Sequence, residues 1–313
     1  MAKICIVLAT YNGEKYLAKM LDSLVGQTRP ADFIVAVDDG SKDSTVDILK
    51  SYQDRLPLQI TVSQKNEGHR AAFSKALSLA KPQLLNTDLV ALADQDDVWL
   101  PNKLEILEQK IGDASLIFGD AEVIDHKGNI IAASWRTLSN ISTEISIKSR
   151  ISGTNNVTGC TAVFKAKLID DVLPIPEHIK VHDVWIALLA QKHSGIKAIS
   201  EPVIQYRIHE GNAIGMSYSL PMSQTLQKNI DFADDILANT DRLNFSDDEI
   251  KFTKKYRAFL QHTQNSWLNI RYFFWLVSNR NNLFPEKKFA QVFKKILFSS
   301  CGFKLAKIIF SKS

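Results

Sequence analysis

Long apolar runs, cysteine and repeated sequence are scarce in this 313-residue chain, and each absence removes a class of protein. No uninterrupted apolar stretch approaches the roughly 20 residues of a membrane-spanning helix. Three cysteines, Cys5, Cys160 and Cys301, are too few and too scattered for a disulfide framework or a zinc site. Cys5 lies inside an apolar run and reads as a small core residue. The chain enters Ile4–Ala9 almost at once, with no charged n-region, apolar h-region and cleavage site ahead of it, so a cytoplasmic location is expected. No Gly-x-Gly-x-x-Gly follows that run, which disfavours a dehydrogenase. The turn Ala9-Thr10-Tyr11-Asn12-Gly13 is not the basic, Gly-rich phosphate loop of a nucleotidyltransferase. There is no internal repeat and no low-complexity tract.

What is present is an ordinary composition, 45% hydrophobic and 23% charged. The length suffices for one large domain or two smaller ones. The net charge of +4 hides an asymmetry. From Lys251 to Ser313 thirteen Lys/Arg face one acid, Glu286, a net of +12, so the first 250 residues carry −8. An acidic body with a basic tail prefers an anionic surface at one end. Within the tail, Phe289, Val292, Phe293, Ile296 and Leu297 recur at helical spacing, with Lys287, Lys288, Lys294 and Lys295 on the other side. Phe303, Leu305, Ile308, Ile309 and Phe310 follow, interleaved with Lys304 and Lys307. The pattern suits a helix lying in a membrane interface or, equally, one packed on the body with a solvated basic face. Nucleic acid is not expected, because no recognition motif accompanies the charge.

The first 120 residues alternate between strand-like runs and helical spacing. Ile4–Ala9, Phe33–Val37, Leu58–Val62, Leu89–Ala93 and Ser115–Phe118 read as strands, with periodic helical segments after the first four. A parallel, helix-covered α/β sheet follows, with ligands expected at the carboxyl ends of the strands. Asp125–Asn129 reads as a hairpin turn, and Ser139–Ser152 as a polar lid or insertion without a clear face. Val157–Phe164 and Pro202–Ile208 read as later strands, Asp183–Lys192 as a helix, and everything beyond about Leu220 as helical.

The acidic run Asp94-Gln95-Asp96-Asp97 directly follows an apolar strand. Carboxylates gathered there repel one another and are costly to desolvate unless a cation or strong donor sits among them. Hard oxygen ligands suit Mg²⁺ or Mn²⁺, and those ions suit phosphate oxygens, so a metal-assisted site for a phosphorylated substrate is expected. The alternative is that Asp97 caps the helix opening near Pro101 while the other acids are solvated.

Thr10-Tyr11-Asn12-Gly13, Val37-Asp38-Asp39-Gly40-Ser41, Asp94-Gln95-Asp96-Asp97 and His182-Asp183-Val184-Trp185 occur in this order. With these motifs the chain resembles family 2 glycosyltransferases over roughly residues 3–215. The resemblance implies a GT-A fold, a Rossmann-like α/β architecture with a mainly parallel sheet and flanking helices. Residues 216–313 then form a basic helical C-terminal extension. It also implies an inverting enzyme that uses a nucleotide-activated sugar and a divalent metal. Thr10, Tyr11 and Asn12 would line the nucleotide pocket. Asp39 would accept a hydrogen bond from the N3–H of uracil or thymine, unless it is a turn-forming residue before Gly40. Asn66 and Arg70 would contact ribose or phosphate, although Arg70 also reads as an ordinary helix-surface cation. Asp96 would bind the metal, and Asp94 would touch ribose or a metal-bound water. His209 is a candidate third ligand, or else a hydrogen-bonded surface histidine. Asp183 would take the acceptor's proton, its alternative being a simple N-cap, with His182 as a weaker base. Gly159 and Cys160 would floor the sugar site, with Trp185 and Arg207 in the same region. Within the family, the motif forms look most like bacterial cell-surface polysaccharide enzymes such as rhamnosyltransferases. That likeness implies dTDP-rhamnose or a UDP-hexose as donor, a polyprenyl-linked saccharide as acceptor, and a peripheral place on the inner membrane face. The rival of another class is a non-catalytic scaffold that kept the fold.

Overall fold

The computed structural model describes residues 2–179, 181–209, 222–266 and 268–284, together with residues 292 and 296. The chain divides into two compact units: residues 1–140, 157–175 and 181–215, and residues 141–156, 176–180 and 216–313.

The first unit opens with β1 (Ile4–Thr10), α1 (Leu17–Val25), β2 (Phe33–Asp38), α2 (Thr45–Ser51), β3 (Leu58–Val62), α3 (His69–Ala80) and β4 (Leu89–Asp94). It continues through β5 (Val98–Trp99), α4 (Lys103–Ile111), β6 (Leu116–Ile124), β7 (Ile130–Ala132) and α5 (Trp135–Ser139). A short helix α6 (Ile147–Ile151) belongs to the second unit. The chain then adds β8 (Ala162–Lys165), α7 (Ile169–Val172), α8 (His182–Lys192) and β9 (Ile196–Arg207) to the first. Among the described residues, nine strands form one sheet in the order β3-β2-β1-β4-β8-β6-β9-β5, with β7 on β6.

β3, β2, β1 and β4 are mutually parallel, as the alternation of strand and helix predicts. The runs of Val, Ile, Leu and Ala in β1, β2 and β4 are buried almost throughout, as strands covered on both faces require, whereas on the edge strand β3 only Leu58 is buried. The other half of this mainly parallel sheet mixes strand directions. β8 runs antiparallel to both β4 and β6, and β5 antiparallel to β9, while β6 and β9 are parallel. The predicted strand Val157–Phe164 is strand only from Ala162, because Gly159–Thr161 closes into a single 3₁₀ turn. The hairpin at Asp125–Asn129 forms: Gly128 N–H donates to Asp125 C=O and Asp125 N–H to Asn129 C=O. The stretch read as a featureless lid carries α5 and α6, each with a serine N-cap, Ser134 and Ser146. Helices of five residues are too short for periodicity to reveal them.

The second unit contains α9 (Met222–Ala238), α10 (Asp247–Asn265), α11 (Phe273–Ser278) and α12 (Arg280–Leu283). Ser246 and Glu249 form a reciprocal capping box at the start of α10. Phe252, Tyr256, Phe259, Tyr272 and Trp275 pack as an aromatic cluster. Val292 and Ile296 are helical and buried. The rest of the amphipathic tail and Cys301 lie outside the described residues. No helix among the described residues is long and apolar enough to cross a membrane.

Candidate active site

Register brings the motifs together. Thr10 pairs with Asp38 across β1 and β2, and Ala9 with Asp94 across β1 and β4, so the carboxyl ends of three strands are level. β8 runs the other way beside β4, with Ala91 opposite Val163. Counting on from that pair sets the turn Gly159–Thr161 against Asp94 and the residues after it. A cleft of about 320 Å³ opens at this edge, at the small end of the roughly 300–1,000 Å³ of ligand pockets. Thr10, Tyr11, Asp39, Asn66, Asp94, Asp96, Gly159, His182 and Asp183 line it.

The wall built from β1, β2 and α3 is saturated with hydrogen bonds. Asp38 is fully buried and accepts from Thr10 Oγ1, from the Gly40 and Ser41 amides and from Ser41 Oγ. Asp39 accepts the Glu67 amide on one carboxylate oxygen at 2.9 Å and the Gly68 amide on the other at 2.7 Å. Each oxygen keeps a second lone pair, so the carboxylate can still receive a ligand N–H. Gln95 brackets Tyr11: the Tyr11 amide donates to Oε1 at 2.8 Å, and Nε2 donates to the Tyr11 carbonyl at 3.0 Å. A Cβ on Gly13 would sit 2.3 Å from Gln95 Oε1, so a larger residue there must push the Gln95 side chain out of that bracket.

The wall built from β4 and its antiparallel neighbours is charged and less satisfied. Burial, then the charges of Asp96 and Asp183, push the Asp94 carboxyl up to about 7. His209 Nε2 lies 2.9 Å from Asp96 Oδ2 and its ring packs on Tyr16. Asp97 is fully buried and does not cap a helix. Its Oδ1 accepts the Arg207 amide at 2.9 Å, because β5 pairs with β9 immediately beyond it. Burial, then neighbouring acids, hold the Asp97 carboxyl well above the usual range. The cation among these acids is Lys103, itself fully buried. Its Nζ donates to the Cys160 carbonyl at 2.6 Å and lies 3.1 Å from the centre of the Trp99 ring. Burial lowers it to about 7 against the pull of Asp97 and Asp94.

Two oxygen-rich sets could receive a cation. Asp94, Asp97 and Cys160 bring one ligand atom each within 4.8 Å of one another. That set suits a hard divalent ion poorly, because its thiol is driven up by burial and the Lys103 ammonium shares the site. Asp96 and His209 are half-buried and converge an oxygen and an imidazole nitrogen, a pair that fits Mn²⁺ and, less well, Mg²⁺.

Across the cleft, Asp183 sits in the first turn of α8 but is not its N-cap. Val181 holds that position without a side-chain bond. Asp183 Oδ2 instead accepts the Gly159 amide at 3.1 Å. A Cβ on Gly159 would lie 3.2 Å from Asp183 Cβ and 3.4 Å from His182 Nε2, so glycine keeps this corner open. Burial, then His69, lowers His182 to about 3, which makes it a poor base.

Besides His209, which stands behind Asp96 rather than on the lining, five expected site residues stand behind or beside the cleft. Cys160 faces the buried acids and Trp185 Nε1 donates to the Val172 carbonyl at 3.0 Å. The Arg207 guanidinium donates to the Asp96 and Asp125 carbonyls and packs on Tyr16, which holds the metal-side loop from behind. Arg70 reaches the Ile175 carbonyl at 3.3 Å. Asn12, at φ +46°, bonds the Lys42 amide through its side chain. All five have backbone carbonyls, amides or buried acids at hand, which engage polar groups more firmly than an open cleft does. Residues given no ligand-facing role by the sequence also line the cleft: Gln95, His69 and Phe73. Phe73 fell on the apolar face of a predicted helix, a signal indistinguishable from core.

The architecture is that of the GT-A fold. A solved structure of Staphylococcus aureus TarS, residues 1–349, in complex with UDP-GlcNAc superposes with a TM-score of 0.59 at 18% identity, covering 95% of this chain and 81% of that one. The chain belongs to glycosyl transferase family 2, whose model matches residues 5–173, more than half its length. A glycosyltransferase of Nostoc sp., itself uncharacterized, is 28% identical over 67% of this chain. The dTDP-rhamnosyl transferase RfbG of Shigella flexneri is 26% identical over 68% of this chain and 75% of its own. The chain spans 66% of the Nostoc relative, just under two thirds, so the substrates and partners of the whole protein do not follow from the likeness.

Proposed function

We propose that the protein is an inverting glycosyltransferase that moves a sugar from a nucleoside-diphosphate donor to a saccharide hydroxyl. The observation that carries this reading is Asp183 in one cleft with Asp94 and Asp96, near enough for its charge to raise Asp94. Tyr11, Thr10 and Asp39 form the nucleotide wall, and a carboxylate beside the base favours the N3–H of a pyrimidine. Asp96 and His209 would hold the divalent ion, with Asp94 beside them. When bound, that ion supplies neutralisation of the charge left on the departing diphosphate. Asp183 accepts the acceptor hydroxyl's proton. The hydroxyl oxygen bonds to the anomeric carbon from the face opposite the nucleotide, and the bond to phosphate breaks with its electron pair leaving on the diphosphate.

The favoured donor is dTDP-L-rhamnose, with a UDP-hexose next; the likeness to RfbG supports that order. The acceptor is assigned as a polyprenyl-linked saccharide of bacterial surface polysaccharide, with residues 1–215 as the catalytic domain. Residues 216–313 then hold the protein to the inner face of an anionic membrane, a reading supported by the +12 charge after residue 250. Calorimetry of dTDP, UDP and GDP, each with and without Mn²⁺, tests the donor site. Metal-dependent binding that favours a pyrimidine supports it. Tight GDP binding removes the role given to Asp39 and the rhamnose assignment together. No binding by the folded protein leaves a scaffold.

A further inference from the structure

His182 is 5% exposed and packed between aromatic rings. Its Nδ1 is enclosed and unpaired. The ring lies on Phe73 at 3.7 Å with planes 22° apart, and His69 meets it edge-on at 6.2 Å. Such stacking fixes the ring plane, so the direction of each nitrogen is set before any ligand arrives. A buried N–H left without an acceptor is rarer than an under-used lone pair. The proton is therefore assigned to Nε2, with the bare lone pair on the enclosed Nδ1.

Nε2 faces the corner kept open by Gly159. The position that a Cβ would occupy there is 3.4 Å from His182 Nε2 and 3.4 Å from Asp183 Oδ2, and all three residues line the cleft. The corner therefore offers one hydrogen-bond donor and one acceptor to the same small group. A hydroxyl matches both, accepting from the imidazole and donating to the carboxylate. A methyl, or a hydrogen in place of the hydroxyl, would leave the donor unmade in a buried setting, where the loss is large.

Resting on the glycosyltransferase reading, we infer that His182 is a specificity-determining residue: its neutral imidazole donates through Nε2 to a sugar hydroxyl seated over Gly159 against Asp183. The ring's low affinity for a proton agrees, since it leaves Asp183 as the base and His182 as a fixed donor. Phe73 acts through His182 as the platform that sets its angle.

The test uses the full chain with Mn²⁺ and a panel of dTDP-rhamnose, UDP-glucose, UDP-galactose and UDP-GlcNAc. Release of the nucleoside diphosphate is followed, with calorimetry of dTDP and UDP alongside. His182→Phe keeps the stack and removes the donor. His182→Gln restores an N–H without charge. With the sugar that the wild type uses, His182→Phe should be slower by about 10–100-fold, the value of one buried hydrogen bond. Nucleotide affinity should hold within twofold, and His182→Gln should recover most of the loss. A His182→Phe rate within twofold of wild type overturns the inference. So does a His182→Gln rate no better than His182→Phe, or a loss of nucleotide affinity in His182→Phe. A wild type that neither binds nucleotides nor releases them sinks the glycosyltransferase reading itself, and this inference with it.

Discussion

The two walls of the cleft are built on opposite principles. On the β1, β2 and α3 side, Asp38, Asp39 and Gln95 spend their polar atoms on backbone amides, carbonyls and hydroxyls. On the β4, β5 and β8 side, Asp94 and Asp97 crowd around one buried lysine with Asp96 beside them, and the carboxyls of Asp94 and Asp97 are held above the ordinary range. A satisfied wall is rigid before a ligand arrives and can discriminate shape. A frustrated wall gains most when a cation or a proton arrives, so it suits binding a metal or moving charge. The fold sets this division: parallel strands deliver short turns whose amides point inward, whereas the antiparallel additions bring distant acids face to face.

Removing the reacting carboxylate should break the comparison most sharply. Asp183→Asn is expected to lower transfer by about 10²–10⁴-fold, the usual worth of a general base, with nucleotide affinity held within twofold by calorimetry. Equal losses of binding and rate would mean that Asp183 is structural.

Lys103→Met is next. It strips the cation from beside the fully buried Asp97, a change that costs about 3 kcal/mol in similar settings, readable as a lower urea midpoint. A midpoint at the wild-type value would show that the acids do not depend on this lysine.

On the satisfied wall, Asp39→Asn should turn an –NH₂ toward the Glu67 or Gly68 amide. One lost buried bond of this kind costs about 2 kcal/mol. Both stability and nucleotide affinity should fall, because the same carboxylate serves loop and ligand. Stability lost with affinity intact would confine Asp39 to the loop.

The smallest effect is a pH-dependent response to metal. Asp94 has an ordinary value of 3.8 and a folded one of about 7, so the folded chain binds the extra proton and loses stability as pH rises from about 4 through 7. Lys103 works in reverse. Its folded value of about 7 lies below the ordinary 10.5, so the unfolded chain binds the extra proton and stability is regained as pH rises above 7. Mn²⁺ competes with the Asp94 proton at pH 6 but not at pH 8, so its thermal stabilisation should be larger at pH 8. Equal shifts at the two pH values would place the ion away from Asp94.

The satisfied wall was the more legible in the sequence. Its strands are continuous apolar runs, its turns carry Gly, Asn and Asp, and local spacing suffices to place Thr10, Tyr11 and Asp39. The frustrated wall depends on pairings that no local window contains. Arg207 meets Asp97 across 110 positions, and Lys103 meets Cys160 across 57. Lys103 opens a helix, where a charged residue reads as solvated, and nothing nearby in sequence marks it as buried. Arg207 and Trp185 fell into motifs that the resemblance tied to ligand, although tertiary contacts engage Trp185 Nε1 and the Arg207 Nε and Nη1. The family motifs located the cleft, but not which side chains face it.

The strand order also carries a consequence for how the protein is made. β9 inserts between β6 and β5, and the amide N–H of its last residue donates to Asp97. On the ribosome, the acidic loop is therefore complete long before its partner exists, since Arg207 is the 207th of 313 residues. At about 5–20 residues per second, synthesis leaves that loop waiting for several seconds or more. The nascent chain can settle β1 to β4 early, but the acid cluster can close only once β9, 110 positions beyond Asp97 at its last residue, has emerged. Messages that end before codon 207 should yield products that chaperones and proteases remove rather than a partial enzyme.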